Sequence, residues 1–159
     1  MSNVTVGISD QKVCSIPDIL VTFALGSCVG ICLYDPQTKV SGMAHIMLPS
    51  SREISGSQAN IMKFADTSIP ELISQMERAG ALRRRITAKI AGGAQMFATQ
   101  SERFNIGERN IIAVKQVLND LKIPLLASDT GLNYGRTVYF HSENGIMEVK
   151  AATKGIKTY

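Results

Sequence analysis

Residues 19–34 run without a single charged side chain, bracketed by Asp18 and Asp35. A bilayer core needs about 20 apolar residues in a helix, and this run is shorter and broken by Gly26-Ser27. Short apolar runs ended by turn residues read as buried strands, here residues 19–25 and 28–34. The opening residues Met-Ser-Asn-Val-Thr-Val-Gly lack a basic region followed by an apolar one, so no signal peptide is expected. The expected protein is cytoplasmic and does not insert in a membrane.

The rest of the chain alternates strands with two amphipathic segments. Strands are expected at residues 3–8, 40–48, 86–91, 125–128, 136–141 and 146–151, the last entered through an Asn144-Gly145 turn. Residues 49–57 are polar and read as a loop. Ile69, Leu72, Ile73 and Met76 fall on one helical face. Ser68 and Glu71 offer a capping box for that helix, Pro70 would fall in its first turn, and Gly80 closes it. A second helix is expected over residues 108–121, with Ile111, Val114, Val117, Leu118 and Leu121 inward and Pro124 beyond its end. With 159 residues, no internal repeat and no linker, the expectation is one α/β domain over 1–159. Its strands would be mainly antiparallel.

Reactive side chains are few: three cysteines (Cys14, Cys28, Cys32) and two histidines (His45, His141). Cys28 and Cys32 on one extended strand lie roughly 13 Å apart, beyond the roughly 7 Å limit for a disulfide. A C-x3-C pair with one spare histidine is a poor match to a structural zinc site. Neither metal nor cofactor is expected. The net charge of +4 is too weak to imply nucleic acid. The run Arg83-Arg84-Arg85 reads as a solvated loop, with docking of an acidic partner as the residual reading.

The most informative stretch is residues 28–48. Asp35-Pro36-Gln37-Thr38 carries turn chemistry. With Pro36 and Gln37 at the tip, Cys28 falls directly opposite His45, on the face shared by Gly30, Cys32, Met43 and Ser41. Val29, Ile31, Leu33, Val40, Gly42 and Ala44 take the other face. Cross-strand partners have Cβ atoms about 4.5–5.5 Å apart, so thiol and imidazole would meet as nucleophile and base. The Gly26-Ser27 break would put Cys28 at a strand start, where backbone N–H groups are free to receive an oxyanion. The pairing alone fits a buried structural thiol beside a core histidine equally well. Cys14, Cys32 and His141 read as structural residues, and Gly92-Gly93 as a strand end or a close backbone approach.

Leu25-Gly26-Ser27-Cys28-Val29, Asp35-Pro36 and Gly42-Met43-Ala44-His45-Ile46-Met47-Leu48-Pro49 stand in an order that resembles the chemoreceptor glutamine deamidases (CheD) of bacterial chemotaxis. The resemblance continues through Phe64-Ala65-Asp66, Lys89-Ile90-Ala91-Gly92-Gly93-Ala94 with Met96-Phe97, Asn105-Ile106-Gly107-Glu108-Arg109-Asn110, Asp129-Thr130-Gly131 and Gly135-Arg136. It implies a layered α/β sandwich and a protein-glutamine glutaminase that converts chemoreceptor glutamines to glutamate with release of ammonia. It also implies that Cys28 and His45 are catalytic, with Thr22 as the third catalytic residue. The partners implied are the cytoplasmic domains of methyl-accepting chemoreceptors and a chemotaxis phosphatase of the CheC family. A regulatory module that mainly binds that phosphatase is the competing reading, and a cysteine hydrolase of small amides or esters is a third. One departure stands out: many members carry two consecutive glycines where this chain has Gly131-Leu132.

Overall fold

The structure is a computed structural model that describes residues 2–53, 60–96 and 105–159. Its strands are β1 (Asn3–Thr5), β2 (Asp10–Cys14), β3 (Ile19–Leu25), β4 (Val29–Tyr34), β5 (Ser41–Ile46), β6 (Thr87–Gly92), β7 (Leu125–Thr130), β8 (Arg136–His141), β9 (Met147–Ala151) and β10 (Gly155–Thr158). Helix α1 (Ala65–Arg78) lies between β5 and β6, and α2 (Ile106–Asp120) between β6 and β7. The strands form two five-stranded sheets, β1-β3-β8-β9-β10 and β2-β5-β4-β6-β7. All pairings are antiparallel except β1 with β3 and β6 with β7.

Burial on both faces explains why β4 carries no charge, and most of β3 is buried too, with Phe23 and Ala24 exposed. On one side of β4 and β5, Val29, Ile31, Leu33, Ala44 and Ile46 pack against Ile69, Leu72, Ile73 and Met76 of α1 and Val114 and Leu118 of α2. On the other side, Cys32, Tyr34 and Met43 meet Leu20, Val138, Phe140, Met147 and Val149 of the first sheet. Each buried Val, Leu, Ile, Met or Phe among them contributes about 1.5–3 kcal/mol relative to exposure. The resulting order of layers is helices, second sheet, first sheet. The gap between the sheets is where both Thr22 and His45 are fully buried. No helix among the described residues is long and apolar enough to cross a membrane.

Several sequence expectations need adjustment. Helix α1 begins a turn before Ser68, with Phe64 at its N-cap. Ser68 is therefore inside the helix, where its hydroxyl and carbonyl oxygens accept hydrogen bonds from the Gln11 amide at 2.9 Å each. Pro70 falls past the first turn, in the helix interior. Strand β2 escaped the pattern because it buries a polar residue, Gln11, rather than an apolar series. Strand β10 is exposed throughout and has no periodicity to detect. Of the expected 49–57 loop, residues 51–53 form a short 3-10 turn and residues 54–57 lie outside the described residues, as does Phe97 of the 96–97 motif. Arg83 and Arg84 are exposed on a 3-10 turn, but Arg85 is not a solvated residue. Its guanidinium clasps the fully buried Asp35 carboxylate through contacts of 2.9–3.1 Å. Burial works against that carboxylate's charge, but Arg85 and the backbone N–H groups of Leu82, Gln37 and Thr38 hold it well below the usual carboxylate range.

Candidate active site

The Asp35 turn sets the register of the hairpin. Its carboxylate accepts from the N–H of Gln37 at 3.0 Å, and its backbone pairs with Val40 rather than with Thr38. Lys39 takes a left-handed conformation at φ 61°. The turn therefore holds four residues, 36–39, where a two-residue tip was expected, and the ladder slides by two. Gly30, not Cys28, lies opposite His45. A slide of two preserves the side-chain period of a strand, so Cys28 stays on the His45 face, one pair further along. Diagonal neighbours of this kind sit about 7–8 Å apart, within reach of an imidazole. The Cys28 side chain packs with the cluster between the sheets, and it is half-buried where His45 is fully buried.

Gly30 gives the imidazole its setting. A Cβ at that position would stand 3.2 Å from Leu25 Cδ1 and 3.7 Å from Thr22 Cγ2. Its absence lets β3 of the first sheet bring Thr22 up to His45, where Thr22 Oγ1 lies 2.7 Å from His45 Nδ1. The same hydroxyl donates to the Val6 carbonyl at 2.8 Å. A threonine has one hydroxyl proton, so a hydroxyl that donates to Val6 can only accept from the imidazole. Nδ1 then carries the ring proton, and Nε2 keeps its lone pair. Nε2 has no hydrogen-bond partner among the described residues.

Burial decides the charge states. It pushes His45 down from 6.5 to about 4, so the ring is neutral at neutral pH. It pushes the Cys28 thiol up, an effect its own backbone N–H partly offsets. The resting pair is thus a thiol and a neutral imidazole. Sγ and Nε2 are not hydrogen-bonded to each other, so a proton can pass from sulfur to Nε2 only once the two close to hydrogen-bond distance as the sulfur attacks.

The backbone around Cys28 is held at three successive carbonyls. Gly26 O accepts from Ala94 N–H and Cys28 O from Gly93 N–H, both at 2.8 Å. Ser27 O accepts from the side-chain amide of Asn110 on α2 at 2.9 Å. Gly92 ends β6 at φ 110°, and a Cβ there would lie 2.3 Å from Cys28 O, so the glycine pair both ends a strand and clears a close backbone approach. Asn110 was not singled out as a site residue. The signal was present in the sequence: Asn110, Val114 and Leu118 form one stripe at helical spacing, with a polar residue at its head.

The other candidates fall away from this cluster. Cys32 is buried among apolar side chains and its thiol is pushed far up by that burial. Cys14 is pushed up to about 11 by burial and by Asp18. His141 pairs with Glu148 at 3.1 Å between β8 and β9. Among the described residues, no group of three His, Cys, Asp or Glu side chains could hold a metal ion.

The two-sheet architecture is shared with a Neisseria meningitidis protein of family DUF152, whose crystal structure superposes with a TM-score of 0.54 at 8% identity, over 83% of this chain and 64% of that one. That likeness defines an α/β sandwich fold and nothing more. Sequence comparison is more specific. Residues 47–151 match the family model described as CheD chemotactic sensory transduction. The chain is 53% identical over 153 residues to a protein of Lachnoclostridium phytofermentans, covering 95% of this chain and 94% of that protein. It is 54% identical over 154 residues to one of Caldanaerobacter subterraneus subsp. tengcongensis, covering 96% and 94%. Both relatives are named probable chemoreceptor glutamine deamidase CheD. The chain belongs to the CheD family.

Proposed function

We propose that this protein hydrolyses glutamine side-chain amides of methyl-accepting chemoreceptors to glutamate and ammonia, with Cys28 as nucleophile, His45 as general base and acid, and Thr22 as the residue that orients His45. The observation that carries the reading is the hydrogen-bonded chain His45 Nδ1–H to Thr22 Oγ1–H to Val6 O, which leaves the lone pair of Nε2 unpartnered, with Cys28 on the same face of the hairpin by register. The names of the relatives supply the substrate class.

The steps follow from the charge states. Cys28 Sγ attacks the carboxamide carbon as its proton passes to His45 Nε2. The tetrahedral oxyanion forms next to the anchored backbone of Cys28. His45 returns the proton to the departing nitrogen, ammonia leaves and a thioester remains. Water then gives a proton to Nε2 while its oxygen attacks the thioester, and glutamate leaves as the proton goes back to sulfur. The reaction takes place at the receptors' cytoplasmic domains, and a phosphatase of the CheC family is proposed as a regulatory partner.

Mass spectrometry of a purified receptor cytoplasmic domain incubated with the protein tests the reading. Site-specific gains of about 1 Da, the Gln-to-Glu change of an acyl hydrolysis, are expected with the wild type and not with Cys28→Ala or His45→Ala. Full activity of purified Cys28→Ala would overturn the mechanism. Glutamine free in solution, hydrolysed as fast as the receptor, would overturn the substrate class.

A further inference from the structure

We infer that Asn110 is a positioning residue for the reaction: its amide fixes the Ser27–Cys28 peptide so that the Cys28 N–H stands as an oxyanion donor beside the nucleophilic sulfur. The inference rests on the deamidase reading above and adds to it a residue outside the Cys28–His45–Thr22 set.

Asn110 is fully buried in α2, and both of its amide protons are committed. One goes to Ser27 O and the other to Met47 O, each at 2.9 Å. These two carbonyls belong to the chain entering β4 just before Cys28 and the chain leaving β5 two residues after His45. One side chain thus ties together the two strands that carry the nucleophile and the base.

The direction of the Ser27 carbonyl has a chemical result. In a trans peptide the C=O and the following N–H point to opposite sides. A Ser27 carbonyl turned down onto α2 therefore turns the Cys28 N–H away from the helix. The Cys28 side chain also packs on the sheet face away from the helices, and the N–H offsets part of the rise in the thiol's pKa. Donor and nucleophile are on one side of the same residue. An acyl carbon bonded to Sγ carries its oxygen within reach of that donor, the arrangement that oxyanion stabilisation requires.

Asn110 is also the point at which this geometry is open to mutation. The flanking carbonyls of Gly26 and Cys28 are held by backbone N–H groups of Ala94 and Gly93, which only a proline substitution removes. The Ser27 carbonyl is held by a side chain. Helix α2 is seated for the task one turn earlier by Gly107, where a Cβ would meet Ala94 O at 2.3 Å and Gly93 O at 2.6 Å.

The test compares two reactions of the same sulfur in Asn110→Ala and Asn110→Asp. Deamidation passes through an oxyanion, whereas alkylation by iodoacetamide displaces iodide and forms none. Loss of one oxyanion donor costs about 10²–10³ in kcat, and a donor that is merely misaimed should cost less. The expected result is kcat for deamidation down by roughly 10–100-fold with KM within about twofold, and Cys28 alkylation within about threefold of wild type. Unchanged kcat overturns the inference, and so does a parallel fall in both rates, which would mean general damage to the thiol.

A measurement on the wild type covers the case in which neither variant folds. Three cysteines give three signals in a spectrum of 15N-cysteine-labelled protein, and Cys28→Ser identifies the relevant one. A receptor peptide with an aldehyde in place of the glutamine amide adds to Sγ, its oxygen taking the thiol proton, to form a hemithioacetal. The Cys28 amide proton should move downfield in that adduct. An adduct seen by mass with the Cys28 amide unmoved overturns the inference and leaves the deamidase reading standing. Deamidation by Cys28→Ala would remove the reading itself.

Discussion

Thr22→Val replaces one hydroxyl by a methyl of nearly the same size at a position with no solvent exposure. The loss falls on two partners at once. Val6 O loses its 2.8 Å donor, and the Nδ1–H of His45 loses its 2.7 Å acceptor. A buried polar group left without a partner costs about 1–3 kcal/mol, so the pair should cost roughly 3 kcal/mol of stability. For a domain of this size that is a fall in Tm of roughly 6–12 °C. The catalytic loss is separate. Without the Thr22 hydroxyl the imidazole has no hydrogen bond among the described residues to hold its tautomer, and a loss of about 2 kcal/mol of transition-state stabilisation is roughly a 30-fold fall in kcat. Thr22→Ser keeps the hydroxyl and drops a methyl, so it should lose about 1 kcal/mol of stability while kcat stays within about threefold. The assay is ammonia release from a receptor cytoplasmic domain below the lowest Tm of the set, with thermal unfolding measured in parallel. The reasoning is refuted if Thr22→Val turns over as fast as wild type, or if the serine variant is as slow as the valine one.

Two further outcomes follow from the same structure. Burial holds His45 at about 4 against 6.5, so between those values the unfolded chain binds a proton that the folded chain refuses. Stability should therefore fall as pH drops from 6.5 to 4, by up to roughly 3 kcal/mol, and level off below. Urea midpoints of wild type and His45→Gln across that window isolate the contribution, and identical pH slopes would show that His45 is not held neutral. Leu132 stands at φ 60° on an exposed loop, a conformation that costs a side-chain-bearing residue about 1–2 kcal/mol. Leu132→Gly relieves it at an unfolded-state cost of about 0.5–1 kcal/mol. A net rise in Tm of a few degrees is expected by calorimetry, and a fall would mean that the leucine side chain makes a contact worth more than the strain.

Local periodicity carried much of the fold into view. The bounds of β3 and β8 and the Ile69, Leu72, Ile73, Met76 face of α1 match the expected ones, because each rests on a repeat that a few residues define. The faces of the β4–β5 hairpin were legible for the same reason. Its register was not, since it turns on Lys39 adopting a left-handed conformation that no lysine advertises. Ser68 mimicked a cap because its true role, taking the Gln11 amide, involves a residue 57 positions away. The Thr22–His45 contact could be expected only through family resemblance, because it joins different sheets. Asn110 was hidden for a related reason: its partners are backbone carbonyls 83 and 63 residues distant, and carbonyls leave no trace in sequence.

The division of the site between two sheets has a mechanical consequence. Thr22 rides on the first sheet, whereas His45 rides on the second, with Cys28 at the entry to its strand β4. The layer between the sheets is filled by side chains such as Leu20, Met43, Val138 and Phe140. Their thickness sets the length of the Thr22–His45 bond, 2.7 Å here, and a separation of about 3.6 Å no longer makes a hydrogen bond. The site therefore works as a gauge of the spacing between the walls. Swelling of that layer by heat, denaturant or an oversized core residue parts the bond before it unfolds either sheet, and activity should fade ahead of the cooperative melt.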